Sequence, residues 1–271
     1  MRQRRLIIIF LCLIVLTILV FILLYKPDIG NKSSTPKPED IKAVSKVLIE
    51  NTISNALFYY DSISADNFSD DDYLLLKEIA RMDKRFEPNL KRLYNIEFSN
   101  KPFYRLIDKN ISSTPNDEFW ESTGEYNLLR ALYCDKVDYS EKDFKKLTDM
   151  YRGDGMYLDA HMFLALILLE KNNCYDLQKV KMLKEKTAQE LINIQDQDKA
   201  FRDIYVERIT FLCWAGFKND IKEEWISKIN TSLKKDYAWG YFDTNISNPH
   251  TSGLALLSLF CYLDYEVENF Y

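Results

Sequence analysis

Residues 6–25, LIIIFLCLIVLTILVFILLY, form an unbroken apolar run in which Thr17 and the Tyr25 hydroxyl are the only clearly polar groups. A helix rising ~1.5 Å per residue over such a run matches the ~30 Å hydrocarbon core of a bilayer, and a buried core helix would be shorter or amphipathic. A cleaved leader has an apolar core of about 7–15 residues followed by small residues at the cleavage site. Here bulky side chains continue through Tyr25, and nothing small precedes Gly30. Cys12 lies inside the run behind Phe10 and Leu11, as an apolar rather than a lipid-modified cysteine. The expectation is an uncleaved transmembrane helix contacting the lipid bilayer through residues 6–25.

Orientation follows from basic residues. Arg2, Arg4 and Arg5 crowd the tail 1–5, whereas Lys26, Lys32 and Lys37 are diluted on the other side. The positive-inside rule then places the N-terminus in the cytoplasm and the rest outside the cell membrane. Removing those three arginines from the 36 basic residues leaves 33 against 41 acidic ones. A net charge near −8 for the part beyond the membrane argues against nucleic acid and against a second, polybasic membrane contact.

Residues 26–40, KPDIGNKSSTPKPED, hold three of the seven prolines and read as a flexible tether. The remaining segment, 41–271, reads as one all-α domain. Glycine numbers only 7 of 271 residues, too few for a turn-rich sandwich, and no stretch alternates as a sustained strand. Aromatic residues at 14 % supply apolar surface for a core. In the first helix Ile41, Val44, Val47, Leu48 and Ile53 fall near one face. Ser69 with Asp72, and Ser140 with Asp143, have capping-box spacing. The run Asp70–Asp72 therefore reads as the first turn of a helix, where carboxylates favour the dipole, rather than as a metal or diphosphate site. Further helices are expected near 118–134, 140–151, 159–173, 177–196, 201–214, 219–235 and 249–266, while 86–114 mixes helical and irregular signals. Segments 177–196 and 219–235 are amphipathic and charged, whereas HMFLALILLE and SGLALLSLF are nearly wholly apolar. That contrast predicts an outer ring of solvent-facing helices around inner, buried ones.

An internal repeat strengthens this arrangement. Four times an Asp- or aromatic-bearing stretch runs into an apolar helix with a cysteine at or soon after its end: Cys134, Cys174, Cys213 and Cys261. Gly155, Tyr157, Asp159 and His161 before one Leu-Ala-Leu correspond to Gly240, Tyr241, Asp243 and His250 before another. At these residues the chain resembles the α/α-toroid superfamily, the terpenoid-cyclase and prenyltransferase-like proteins in which helical hairpins circle a central bowl. The resemblance covers roughly residues 115–271 and implies a toroid; a simple antiparallel helical array is the competing arrangement. It carries no single activity, because the fold hosts cyclases, prenyltransferases, glycan-active enzymes and non-catalytic proteins. The cyclase DxDD motif and the prenyltransferase zinc residues are absent. Cys213-Trp214-Ala215-Gly216 resembles part of the lanthionine-cyclase pattern, but its Cys-His-Gly partner is missing.

In a toroid, loop-to-inner-helix junctions border the bowl. The candidate bowl residues are thus Asp154, Tyr157, Asp159, His161, Trp239, Tyr241, Asp243 and His250: acids and imidazoles for proton transfer, aromatic rings for stacking. Each also has a plainer reading, since Asp or His in a first turn satisfies free amides. Glu118 and Glu121 flank Trp120 at another junction. No C-x-x-C, H-E-x-x-H, Gly-rich phosphate loop or G-x-S-x-G elbow occurs, so neither metal nor cofactor is expected. The domain cysteines are expected as buried thiols, or, in an oxidising compartment, as Cys134–Cys174 or Cys213–Cys261 bridges. The expected role is binding an envelope glycan, peptide or protein partner, with glycan hydrolysis or elimination by an acid/base site in the bowl as the alternative.

Overall fold

The computed structural model describes residues 38–94, 102–106, 126–241 and 246–264, and divides the chain into two compact units, 1–43 and 44–271. The expected membrane segment 6–25 lies outside the described residues. Among those described, no helix is long and apolar enough to cross a membrane.

The described residues form an all-helical protein: α1 (Pro38–Ser62), α2 (Asp70–Met82), α3 (Glu87–Leu93), α4 (Tyr126–Leu132), α5 (Glu141–Thr148), α6 (Tyr157–Lys171), α7 (Leu177–Gln197), α8 (Asp203–Trp214), α9 (Glu223–Thr231) and α10 (Pro249–Tyr262), with 3-10 turns that include Pro102–Leu106. α1 begins at Pro38, inside the expected tether. Both expected capping boxes form: Ser69 Oγ accepts from Asp72 N and Asp72 Oδ2 from Ser69 N, and Ser140 pairs with Asp143 in the same way. Asp176 and Asn248 cap α7 and α10 by accepting from backbone amides of the first turn.

The buried face of α1 differs from the expected one. Ile49, Thr52, Ile53, Ala56, Tyr59 and Tyr60 are buried, while Val47 and Leu48 are 57 % and 55 % exposed. The stripe is set by the large rings of Tyr59 and Tyr60 near the helix end, which bury the most surface, so the i, i+3, i+4 register counts back from them to Ile49.

The predicted inner and outer helices separate cleanly. α6 is buried around nearly its whole circumference from Asp159 to Leu169, and α10 from Thr251 to Cys261. α7 and α9 bury a single stripe each, Val180–Ala188–Leu191–Gln195 and Trp225–Ile226–Ile229. Neighbouring helices follow a definite order: α2 packs on α10, α10 on α8, α8 on α6 and α6 on α4, and the 102–106 turn touches both α4 and α2. α3, α5, α7 and α9 pack behind these, α5 against α4 and α6, and α7 against α6 and α8. At the α2–α10 crossing a Cβ on Gly253 would meet Leu75 at 2.8 Å, so glycine is what permits the close approach.

Two disulfides, Cys134–Cys174 and Cys213–Cys261, join the C-terminal ends of α4 to α6 and of α8 to α10. The cysteines are therefore bridged rather than buried thiols; Cys134 and Cys174 follow α4 and α6, Cys213 and Cys261 lie in the last turns of α8 and α10, and packing of these adjacent helices brings the sulfurs together.

Candidate functional site

Successive turns of the inner helices present one side to a common space. On α8, Asp203, Glu207, Phe211 and Trp214 follow one another at three- or four-residue intervals, and Tyr157, His161 and Leu164 do so on α6. Together with Asp71, Asp72, Leu74 and Leu75 of α2 and His250 and Leu254 of α10, they line a cavity of about 490 Å³. Its upper two turns are polar and its floor is apolar.

Loop anchoring positions the rim. Tyr241 O accepts from Asp203 N at 3.3 Å, and Trp239 O accepts from Asn248 N at 2.7 Å, so the segment before α10 is stitched to both α8 and α10. Thr251 Oγ1 of α10 donates to Asp203 Oδ1 of α8 at 2.6 Å, and the Tyr157 hydroxyl of α6 donates to the same carboxyl. Asp203 thus links three inner helices.

Two imidazoles face buried carboxylates. His161 Nε2 lies 3.1 Å from Glu207 Oε1, and His250 Nδ1 lies 3.8 Å from Asp72 Oδ1. Glu207 is 3 % exposed and Asp203 2 %, whereas both histidines keep part of their rings open to the cavity. Burial pushes the Asp203 carboxyl up, with the Glu207 charge adding to the rise, against the opposing pull of His250 and the Thr251 and Tyr157 hydroxyls. Burial, with the charges of Asp203 and Glu207 behind it, also raises the Tyr157 phenol, which stays a hydrogen-bond donor. The arrangement offers carboxylates and imidazoles that can exchange protons or grip polar groups, above a surface suited to apolar groups. Among the described residues no group of three or more His, Cys, Asp or Glu side chains could hold a metal.

Of the candidates expected from the repeat, Tyr157, His161, Tyr241 and His250 line the cavity. Asp154, Asp159 and Trp239 do not, and each has a local task instead. Exposed Asp154 accepts from Met156 N at 2.9 Å, a turn-forming bond. Asp159 is fully buried and accepts from Arg152 N at 2.6 Å and Gly155 N at 2.7 Å, clamping the loop that leads into α6. The same loop is held from the other side by Arg208 Nη1, which donates to Gly155 O at 2.9 Å. Gly155 has φ +66°, and a Cβ there would meet Ile194 at 2.8 Å. Trp239 is buried, donating through Nε1 to Ile229 O at 2.8 Å. Asp243, Glu118, Trp120 and Glu121 lie outside the described residues.

Asp71, Asp72, Asp203 and Glu207 are the lining acids that reading by repeat equivalence passed over. A signal for Asp203 and Glu207 existed: DIYVERITFLCW carries two carboxylates one turn apart on a largely apolar segment whose other charged residue is Arg208, and burying charge is costly enough to require a reason. Asp72 was read as a helix cap, which it is; its second oxygen faces His250 as well.

Comparison of the chain with protein-family models, with curated proteins and with solved structures gives no match.

Proposed function

We propose that this chain is a single-pass, membrane-anchored protein of the cell envelope, with its N-terminus in the cytoplasm, that carries outside the membrane an α/α-toroid domain whose bowl binds a ligand. The observation that carries the binding role is the cavity itself: about 490 Å³, formed where the N-terminal turns of α2, α6, α8 and α10 meet, polar above and apolar below. The toroid reading is supported by the neighbour order α2–α10–α8–α6–α4, which returns to α2 through the 102–106 turn, with amphipathic helices packed behind. The extracytoplasmic reading is supported by two disulfides, which persist in oxidising compartments. The apolar run 6–25 and the arginines before it support the anchor and its orientation.

Ligand binding is tested with the full chain in lipid nanodiscs against arrays of defined envelope glycans and peptides. Wild type should retain a subset that a Leu164→Trp variant, which fills the bowl, loses while keeping its melting temperature. Equal retention by both proteins would remove the bowl from the function.

One observation favours a second reading. The His161–Glu207 contact of 3.1 Å resembles an acid/base pair, and the partly open imidazole is placed to move a proton on a bound glycan. In that case the protein hydrolyses or eliminates a glycan linkage, and His161→Gln abolishes turnover while leaving ligand retention measurable.

A further inference from the structure

We infer that the ligand of this cavity is an uncharged amphiphile: a single hydrocarbon chain lies along α8 down to Phe211 and Trp214, and a hydroxyl-bearing head stays at the mouth. This deepens the binding reading and rests on it. On each of the four inner helices the lining changes from polar to apolar within one turn: Asp72 to Leu75 on α2, His161 to Leu164 on α6, Glu207 to Phe211 on α8 and His250 to Leu254 on α10. Leu128 of α4 and the 102–106 turn close the remaining side with apolar groups, so among the described residues no lining side chain below these positions carries a charge. On α8 the lining runs from Asp203 to Trp214, a depth of about 16 Å at the helical rise. An apolar space of that depth is filled by a chain lying along it, and each methylene taken from water adds to binding. Apolar surface also continues onto the rim elements. Leu158, next to Tyr157, and Ile246, two residues before Asn248, are 42 % and 76 % exposed. The head is uncharged because the rim leaves no charge to answer one. Among the described residues the lining includes no lysine or arginine to pair with an anion. Its buried carboxyls are met from within the protein: Glu207 by His161 at 3.1 Å, Asp203 by Thr251 at 2.6 Å and by Tyr157, and Asp72 by Ser69 N at 2.8 Å. A cation therefore finds no vacant partner, and burying either sign of charge is costly. What stays open to the cavity are the part-exposed imidazoles of His161 and His250 and the rings of Tyr157 and Tyr241, which hydrogen-bond hydroxyls and stack on the faces of sugars.

The test is photolabelling of the full chain in lipid nanodiscs. Three decyl probes carry a diazirine at the chain end and differ only in the head: a glucoside, a carboxylate and a trimethylammonium group. Labelled peptides are quantified by mass spectrometry relative to label on the nanodisc lipid. The glucoside should label the peptide that holds Phe211 and Trp214 roughly tenfold more than either charged probe does. Leu164→Trp, which fills the space, should remove most of that label, whereas Asp154→Asn, outside the cavity, should leave it as in wild type. If Leu164→Trp fails to fold, excess unlabelled decyl glucoside takes its place and should suppress the label on the wild-type protein. Equal or stronger labelling by a charged probe, label that no competitor suppresses, or label confined to residues outside the lining overturns the inference. Retention of glycans or peptides on the arrays then leaves the binding reading standing; loss of both the label and the retention overturns the two together. A decanoylglycerol probe with the same chain-end diazirine separates the sources of the head: stronger label than the glucoside assigns an acylglycerol, and weaker label assigns a glycolipid.

Discussion

Glu207 Oε1 on α8 and His161 Nε2 on α6 stand 3.1 Å apart, both one turn into their helices and both on the cavity wall. The acid is buried and the imidazole is part-open, so the pair presents a ring to the cavity backed by a carboxylate. Losing the ring leaves a buried acid behind.

His161→Ala is therefore expected to destabilise the protein by roughly 1–3 kcal/mol, the cost of a buried group left unsatisfied. Adding Glu207→Gln should recover much of that loss. Urea denaturation of the two single variants and the double variant measures the coupling, and simple additivity would mean that the two side chains do not interact.

Two acids on α8 and just before it should respond to pH with opposite signs. Asp203 is raised by burial, so the folded protein holds its proton longer than the unfolded chain does, and stability falls as pH rises from the unfolded carboxylate range through the folded value. Asn at this position should thus raise stability at neutral pH, with the gain shrinking in acid. Burial also acts upward on Asp198, but hydrogen bonds from Arg208 and Arg202 outweigh it and hold this carboxyl below the usual range. Its contribution is present above the unfolded carboxylate range and is lost as pH falls through the lowered folded value, so Asp198→Asn should destabilise at neutral pH and matter little in strong acid. Denaturation of both variants between pH 2 and 7 checks the signs.

The Asp159 clamp gives a structural prediction distinct from the site. Asp159→Ala removes two charge-assisted bonds to Arg152 N and Gly155 N, and should cost about 3 kcal/mol. Ligand retention per folded molecule should change little, because the side chain does not reach the cavity. A loss of retention without a loss of stability would return Asp159 to the site.

The disulfides close spans of 40 and 48 residues. Serine replacement of both cysteines in either pair should cost ~3–4 kcal/mol by the chain-entropy relation. Thiol labelling of the denatured, unreduced protein should find Cys12 alone of the five cysteines. Labelling at Cys134 or Cys213 would break the corresponding bridge.

Alkaline carbonate extraction should leave the full chain in the membrane fraction, and removal of residues 1–25 should release the remainder. External protease on intact cells should reach the domain if residues 44–271 lie outside. Protection in intact cells, lost only on lysis, would reverse the orientation.

Local chemistry carried the helices. Ser69–Asp72 and Ser140–Asp143 announce helix starts three residues in advance, and the charged face of α7 announces an outer helix, because capping and amphipathicity depend on neighbours within one or two turns. The repeat likewise placed Tyr157, His161, Tyr241 and His250 at equivalent junctions, and all four reach the cavity.

What only the tertiary structure decided is direction. α6 and α10 are buried on nearly every side, so their sequences hold no polar stripe from which a cavity-facing side could be read. Asp159 and His161 are two residues apart on α6, which on a helix separates them by about 200°, and packing sent the acid to its loop and the imidazole to the cavity. Asp203 and Glu207 became a site only when α8 was set between α6 and α10. The sequence by itself determined that the fold is helical, where the capped helices α2 and α5 start and which long helices are inner and which outer, since these rest on short-range hydrogen bonding and hydrophobic periodicity; it did not show α3, the start of α1 or the buried face of α1. Which acids meet which imidazoles, and whether the four cysteines are bridged or remain thiols, depended on contacts between helices distant in the chain, and those are set by how the whole core packs.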